Sequence, residues 1–391
     1  MTVVEGMQTI LLLSRGNIHN PTLLSTLVNE YSVDRDSFVV VFFDAETKSG
    51  NSELPEGIIE MPWEDAVSLQ GGAIKAVILQ SLYPANARAL RELASNTGLT
   101  YDKVGIIITD NEVDLWKTHF DRFGSIEAGR TKTITDDVKH ALQHIDSFCC
   151  ARVPFGETLE LILGRHLNIS DTFPIRKMLP EPTDYAVFTG RVKDDIDHLE
   201  RIANRRTIMV LSKPLPYDRK RLYVRDLFRF CLFGRSRHAV TVLFWERRKP
   251  WKMWDKIEYR FIMILVSWLS PVLRRFGRPD IRIRFLASLS RHEYMTNLLR
   301  CYALVGQGRS GVGAMTEAAR NGRHLVLVRG TYNERLFADS WNAPVIYRRK
   351  NIFQELVDEK HEASDFERIM AESRDRFWIF YEGIFSKKSA G

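Results

Sequence analysis

Residues 301–328 constrain the fold more than any other stretch of this chain. Cys301-Tyr302-Ala303-Leu304-Val305 is a short apolar run. Gly306-Gln307-Gly308-Arg309-Ser310-Gly311-Val312-Gly313 is a turn carrying four glycines. A helical stretch follows through Ala318-Ala319-Arg320 and stops at Asn321-Gly322, and His324-Leu325-Val326-Leu327-Val328 is a second apolar run. Strand, glycine turn, helix and strand make half of a nucleotide-binding α/β unit. Without Cβ atoms, the N–H groups of the turn can approach an anion closely. The helix adds unpaired N–H groups and the positive end of its dipole at the same place, which favours phosphate. Gly308, Arg309, Ser310 and Gly311 are therefore candidate phosphate contacts. Glu317, two turns or less into the helix, would repel phosphate but is suited to accept hydrogen bonds from ribose hydroxyls.

Gly306-Gln307-Gly308-Arg309-Ser310-Gly311 also matches G-x-G-x-x-G, and Arg329 after the next strand suits a 2′-phosphate. Only about eighty residues follow the turn, too few for a six-stranded dinucleotide domain. A dinucleotide enzyme and a tight turn without a ligand both stay open at this point.

The N-terminal part alternates strands and helices. Residues 9–14 read as a first strand, and Asn20-Pro21 opens a helix through Glu30, with Asn at the cap and Pro at the first helical position. Further strands are expected at 38–43, 58–59, 76–79 and 104–108, with helices at 86–94 and 136–147. Solidly apolar strands alternating with helices imply a parallel sheet covered on both faces. Pro174, Pro180 and Pro182 mark residues 166–184 as a linker. The expected organisation is an N-terminal Rossmann-like domain (1–165), that linker, a second Rossmann-like domain (185–364), and an aromatic helix at 365–391 that returns to the first domain. At 391 residues and 45% apolar composition, two domains with real cores are within reach.

Residues 283–328 resemble the C-terminal half of a GT-B glycosyltransferase: strand, turn, helix, strand, glycine-rich loop, and a helix bearing a Glu. Tyr185-Ala186-Val187-Phe188-Thr189-Gly190-Arg191-Val192-Lys193 resembles the first strand and loop of that same domain. The resemblance covers about 150 residues. It implies two Rossmann-like domains facing across a cleft, a C-terminal crossover helix, and a nucleotide sugar as substrate with no cofactor and no metal. It assigns Arg191, Lys193 and, after the apolar run 208–211, Lys213 to the donor diphosphate. Asn333 and Glu334, in Thr331-Tyr332-Asn333-Glu334-Arg335, take the place of donor-sugar contacts. Many retaining relatives carry a second Glu eight residues before the helix Glu. Here that position is Arg309, so the stereochemical outcome stays open.

The loop Arg15-Gly16-Asn17-Ile18-His19-Asn20-Pro21 follows the first strand, where strand-end loops form ligand sites. It resembles the G-H-x-N-P loop of some inverting GT-B enzymes, with the His two residues later relative to the Gly. A histidine titrating near neutrality suits a base, which makes His19 the first candidate to deprotonate an acceptor. Asp110 and Glu112, after the strand at 104–108, are the alternative carboxylate bases or acceptor contacts. His140 and His144 share a helix face without a third ligand or an H-E-x-x-H context, so they do not suggest a metal site.

Charge is concentrated. Residues 201–291 hold 23 Lys and Arg against 6 Asp and Glu, whereas the whole chain carries a net charge of +7. Aromatics interleave with this charge, as in Phe228-Arg229-Phe230, Phe244-Trp245 and Trp251-Lys252-Met253-Trp254. For residues 219–278 three readings compete: a peripheral surface on an anionic membrane, a nucleic-acid surface, and an insertion with core aromatics and solvated charges. No nucleic-acid motif accompanies the charge, which argues against the second. The most apolar run, 261–269, is too short to span a bilayer. Four cysteines with no C-x-x-C pair, two of them adjacent and so poor partners for each other, and no basic, apolar leader point to a reducing cytoplasm, at the inner membrane face if the basic segment binds lipid. The expectation is a glycosyltransferase acting on a glycan or lipid-linked acceptor in surface polysaccharide assembly. A nucleotide-sugar epimerase and a non-catalytic scaffold of the same fold are the alternatives.

Overall fold

The computed structural model describes residues 8–17, 20–44, 54–108, 112–172, 194, 205–211, 220–236, 238–246, 253–287, 291–306, 308, 311–343, 345–347, 352–358 and 366–386. They divide into two compact units, residues 1–176 with 370–391, and residues 177–369.

The first unit is built on a seven-stranded parallel sheet: β1 (Gln8–Leu13), β2 (Val39–Phe42), β3 (Glu60–Met61), β4 (Ile74–Gln80), β5 (Val104–Ile107), β6 (Ser147–Cys150) and β7 (Asn168–Asp171). Its order is β3-β2-β1-β4-β5-β6-β7. β1, β2, β5 and β6 are buried along most or all of their length, as strands covered on both faces must be. Helices α1 (Asn20–Ser25), α2 (Trp63–Ser68), α3 (Pro84–Thr97), α4 (Glu112–Phe123), α5 (Asp136–His144) and α6 (Glu157–Leu163) connect them. Asn86 starts α3 by accepting from the Tyr83 N–H at 2.6 Å, and Gly98 ends it in the left-handed region that glycine favours (φ 72°).

Three expectations shift. The helix expected at 136–147 ends at His144, because Ile145 is extended and Ser147–Cys150 is a fully buried strand between β5 and β7. The strand expected at 58–59 lies two residues later, at Glu60–Met61, paired with Val40 and Val41. Asn168–Asp171 is the edge strand of the first sheet and so occupies part of the segment expected to be a linker.

The second unit carries a six-stranded parallel sheet: β8 (Arg205–Val210), β9 (Ala239–Glu246), β10 (Ile281–Ala287), β11 (Ala303–Val305), β12 (His324–Leu327) and β13 (Val345–Tyr347), in the order β10-β9-β8-β11-β12-β13. Helices α7 (Lys220–Phe233), α8 (Met253–Arg274), α9 (Arg291–Leu299), α10 (Val312–Arg320) and α11 (Ile352–Asp358) belong to it. The basic segment 219–278 is therefore no insertion: it supplies α7, β9 and α8. Leu227, Phe230, Cys231, Val240, Val242, Phe244 and Val266 all lie in the core of this unit. Removing an apolar side chain of this size from water contributes about 1.5–3 kcal/mol. Arg229, Arg235, Arg274 and Arg275 of this stretch are exposed, outside that core.

The last helix, α12 (Phe366–Ser386), packs on the first unit. Phe377, Phe380, Tyr381 and Ile384 join Leu11, Tyr31, Val40, Ile78 and Ile107 in one buried cluster. Polar contacts fix its register: Trp378 Nε1 donates to the Tyr31 carbonyl at 2.8 Å, Arg376 Nη1 to the Asp171 carbonyl at 3.0 Å, and the Tyr31 and Ser373 hydroxyls lie 3.0 Å apart. A Cβ on Gly105 would lie 2.3 Å from Ile384 Cδ1 and 2.8 Å from Phe380 Cζ, so only glycine lets the helix come this close to β5.

Candidate functional site

In the second sheet, chain order reverses between β8 and β11. Loops leaving the carboxyl ends of the strands at such a switch point form a crevice suited to ligands. The loop after β11 is the glycine turn. Gly306 closes it against the sheet, its N–H donating to Val326 O at 2.9 Å. A Cβ there would meet Met315 Sδ at 2.4 Å and Leu327 Cδ2 at 2.7 Å. Gly311 lies in the left-handed region (φ 84°) at the cap of α10 and packs against Leu211, the residue after β8. The Leu211 N–H in turn donates to Val305 O at 3.0 Å, which ties the two switch-point loops together.

A third segment closes on this turn. The Asn333 N–H donates to Gly308 O at 3.0 Å, and Asn333 is fully buried. Thr331 starts the short helix Tyr332–Glu334 by accepting from the Glu334 N–H, and its methyl would lie 3.1 Å from a Cβ on Gly308. Glu334 is held at both oxygens, by the Gly330 N–H and by the Tyr347 hydroxyl, each at 3.3 Å. Burial first, and then the Glu334 carboxylate, raises the Tyr347 phenol above its ordinary value, so Tyr347 stays a donor. Gly308, Gly311, Asn333 and Glu334, expected from the sequence, thus come together with the N-terminus of α10. Tyr347 and Leu211 were not expected. The only sequence signal for them was their place at or just past the end of an apolar strand.

Glu317 is fully buried within α10, and its backbone carbonyl accepts from Asn321 Nδ2 at 2.8 Å. Its position in the helix is as expected, but its side chain is enclosed rather than open to solvent. Arg309 and Ser310 lie outside the described residues, as do Arg191, Lys193 and Lys213. The strand at the switch point is β8, and Leu211 directly follows it.

The first unit has its own switch point, between β1 and β4. His19 lies outside the described residues, but the loop around it is anchored on both sides. Asn20 Nδ2 donates to Ser14 O at 2.7 Å, Asn17 Nδ2 to Gln80 Oε1 at 3.3 Å, and the Asn20 N–H to Asn17 O at 3.1 Å. The side chain of Asn20 thus closes the loop as a donor, a different task from the helix-cap acceptor expected of it. Asp44, just past β2, takes the Ser14 hydroxyl and the Arg15 N–H, each at 2.6 Å. Asp44 and Gln80 were not read from the sequence; both are polar residues at the ends of apolar strands flanking β1.

Asp110 lies outside the described residues. Glu112 sits in the first turn of α4, fully buried, with the Tyr83 hydroxyl 3.5 Å from Oε2. Burial first, then the Asp171 and Glu112 charges, lifts the Cys150 thiol well above its usual range, so this sulfur is inert. The rings of His140 and His144 pack tilted or edge-on against each other and Tyr101 (ring centroids 4.3–5.6 Å apart), and no cluster of metal-ligating side chains occurs among the described residues.

Two parallel Rossmann-like sheets, with the last helix packed on the first unit, give this chain the GT-B fold. The chain is similar to the N-terminal domain of trehalose-6-phosphate phosphatase from Candida albicans, at 10% identity over 97% of this chain and 99% of that one, with a TM-score of 0.53. It is also similar to α,α-trehalose 6-phosphate synthase from Burkholderia multivorans (10% identity, 97% and 95% covered, TM-score 0.49) and to UGT89C1 of Arabidopsis thaliana, solved with UDP-L-rhamnose (10%, 97% and 98%, 0.48). At such identities the likeness is one of fold. No family model and no curated protein matches the sequence.

Proposed function

We propose that the protein is a glycosyltransferase that takes a nucleotide sugar and passes the sugar to a glycan or lipid-linked acceptor. The observation that carries this reading is the glycine turn at the β8/β11 switch point. It opens onto the N-terminus of a nine-residue helix and is tied by the Asn333 N–H to the 331–334 segment. Backbone N–H groups at a helix start receive a diphosphate, and polar side chains beside it receive a sugar.

In this proposal the negative charge that develops on the departing diphosphate is met by α10 and by Arg191, Lys193, Lys213, Arg309 and Ser310, with no metal required. Gly308 and Gly311 let the backbone approach it, and Asn333 and Glu334 hold the sugar. The base is His19 or Asp110, which takes the proton from the acceptor hydroxyl as the new glycosidic bond forms and the bond to the diphosphate breaks. Glu112, enclosed beside Tyr83, is better suited to orient the Asp110 loop than to take that proton itself. Work on a lipid-linked acceptor at the inner membrane face, in surface polysaccharide assembly, completes the proposal. The charge of residues 201–291 supports it.

Thermal unfolding with UDP, GDP, TDP, CMP and NADP tests the reading. Selective stabilisation by one nucleoside diphosphate is expected; stabilisation by NADP alone overturns it. Glu317→Gln keeps the shape of the buried side chain but replaces an acceptor oxygen by a donor. It should weaken nucleotide binding about 10- to 100-fold if the carboxylate accepts ribose hydroxyls, by loss of a charge-assisted bond worth about 1.5–3 kcal/mol. Unchanged affinity removes Glu317 from the donor site.

A further inference from the structure

Helix α8 is apolar on two opposite faces. Val266 and Ser270 are fully buried on the inner one, and Leu269 and Leu273 pack against the core. The Ser270 hydroxyl pins that face to the start of β10, accepting from the Ile281 N–H at 2.7 Å and donating to Pro279 O at 3.2 Å. On the outer face, Phe261 (64% exposed), Ile264 (57%), Trp268 (78%) and Val272 (55%) follow one another at steps of three or four residues, and Phe276 (75%) continues the line just past the helix. Such spacing keeps side chains on one side of a helix. A helix apolar all round is either enclosed or immersed in something other than water, and a continuous exposed apolar strip of this size marks an interaction surface.

The chemistry around the strip defines its partner. Between residues 259 and 279 the sequence contains no Asp or Glu, but it has Arg260, Arg274, Arg275 and Arg278. Arg274 remains 68% exposed while lying 3.6 Å from Asp280. Arg278 Nη1 donates to the Phe233 carbonyl at 3.3 Å, which brings the end of α7 alongside. That end adds Phe233, itself 72% exposed, and the exposed Arg229 and Arg235. From Phe261 to Phe276 the strip is about 22 Å long at 1.5 Å per residue. No helix among the described residues is long and apolar enough to cross a membrane. Aromatic and aliphatic side chains on one face, flanked by arginines, are what an anionic bilayer surface accepts from a helix lying in its plane. A pairing of two copies through this strip would bring two basic faces together with no acidic side chain between residues 259 and 279 to offset them, which disfavours it.

We propose that the outer face of α8, with Phe233 and Phe276 at its C-terminal end, is the surface by which the protein docks on an anionic lipid bilayer. This sharpens the membrane-face location proposed above, from a 60-residue basic segment to one face of one helix. Most of the remaining aromatics of that segment with a described burial serve the core.

The test is co-sedimentation of the full-length protein with extruded vesicles of phosphatidylcholine alone or with one-third phosphatidylglycerol, at low and at 0.5 M salt. Binding is expected only with phosphatidylglycerol, weakening in high salt. Trp268→Ser combined with Phe276→Ser should lower binding at least tenfold, because both exposed rings lose their burial in lipid. Arg235→Gln with Arg275→Gln should lower it about twenty-fivefold, about fivefold for each charge. Melting within about 2 °C of the parent shows that each variant is folded. Wild-type protein left in the supernatant at low salt overturns the proposal, as does equal binding to both lipids or parental binding by the Trp268/Phe276 variant. So does a dimer broken by Trp268→Ser without vesicle binding, which would assign the strip to a second copy. Nucleotide-induced stabilisation measured without vesicles reports on the donor reading independently.

Discussion

Helices α8 and α12 are nearly equal in length and opposite in placement. They are 22 and 21 residues long, and both carry several aromatics. In α12 the aromatics Phe377, Phe380 and Tyr381, together with Ile384, fall on one face and are at most 4% exposed, and among the large apolar side chains of the helix with a described burial only Ile379 is exposed. In α8 the apolar residues occupy two faces, and the outer one carries no cover among the described residues. The difference lies in register as well as content, since α8 carries two acidic residues and α12 four. Spacing of i, i+3, i+4, i+7 fills one face and leaves the rest polar, whereas an unbroken apolar run must present a second face somewhere. A long aromatic helix is therefore a core element or a docking element according to where its second face goes.

The comparison breaks first at Phe377. Truncation to Ala removes a fully buried ring from the cluster joining α12 to the first sheet. A loss of about 3–5 kcal/mol is expected in urea unfolding. A loss below about 1 kcal/mol would mean that α12 is held chiefly by its polar contacts and not by its aromatic face.

Gly105 tests the same junction from the sheet side. Gly105→Ala places a methyl 2.3 Å from Ile384 Cδ1, so side chains at the contact must shift, at a cost of about 1–3 kcal/mol. Combined with Ile384→Ala the two changes should be less than additive, since the second makes room for the first. Strict additivity in the double-mutant cycle would show that helix and strand do not share this contact.

What the sequence revealed of these regions follows the same logic. The central strands were readable because burial on both faces produces unbroken apolar runs such as Ile10-Leu11-Leu12-Leu13 and Val39-Val40-Val41. Ser147-Phe148-Cys149-Cys150 was missed because Ser and Cys carry little strand preference and the run directly follows a helix. β9 was obscured by the arginines and lysine after it, although Val240, Val242 and Phe244 alternate into the core as a strand should. The glycine turn was legible because a left-handed Gly311 and a close-packed Gly306 leave a mark in sequence. The enclosure of Glu317 and the Glu334–Tyr347 contact were not legible, since burial and pairing across loops depend on segments far apart in the chain. Charge and aromatic content marked residues 219–278 as unusual, but only packing separated the aromatics that belong to the core from those that do not.

Tyr381 gives a smaller and pH-dependent contrast. Its hydroxyl lies 3.1 Å from the Ser37 hydroxyl, and burial, the largest influence, raises its pKa above the ordinary 10.0. The folded state therefore favours the neutral phenol. Its contribution is complete below pH 10 and is lost as pH rises through the folded pKa. Tyr381→Phe should cost about 1 kcal/mol at pH 7, for the lost hydrogen bond. That deficit should shrink as pH is raised past 10, because the variant has no phenol to ionise. A deficit that stays constant to pH 11 would show that Tyr381 titrates as freely in the folded helix as in the unfolded chain.

The smallest effect is the one that most cleanly separates the two helices. Trp268 is the largest side chain of the outer α8 strip and is 78% exposed, so folding removes little of it from water. Trp268→Ser should change stability by no more than about 0.5 kcal/mol, the range of ordinary surface substitutions, although the same residue type in a core costs about 3–5 kcal/mol when truncated. Urea unfolding of the protein in lipid-free buffer measures this directly. A loss above about 1.5 kcal/mol would mean that the indole is covered within the folded chain in solution. The outer face of α8 would then be packed like the inner face of α12, and the distinction between a docking helix and a core helix would not hold in this molecule.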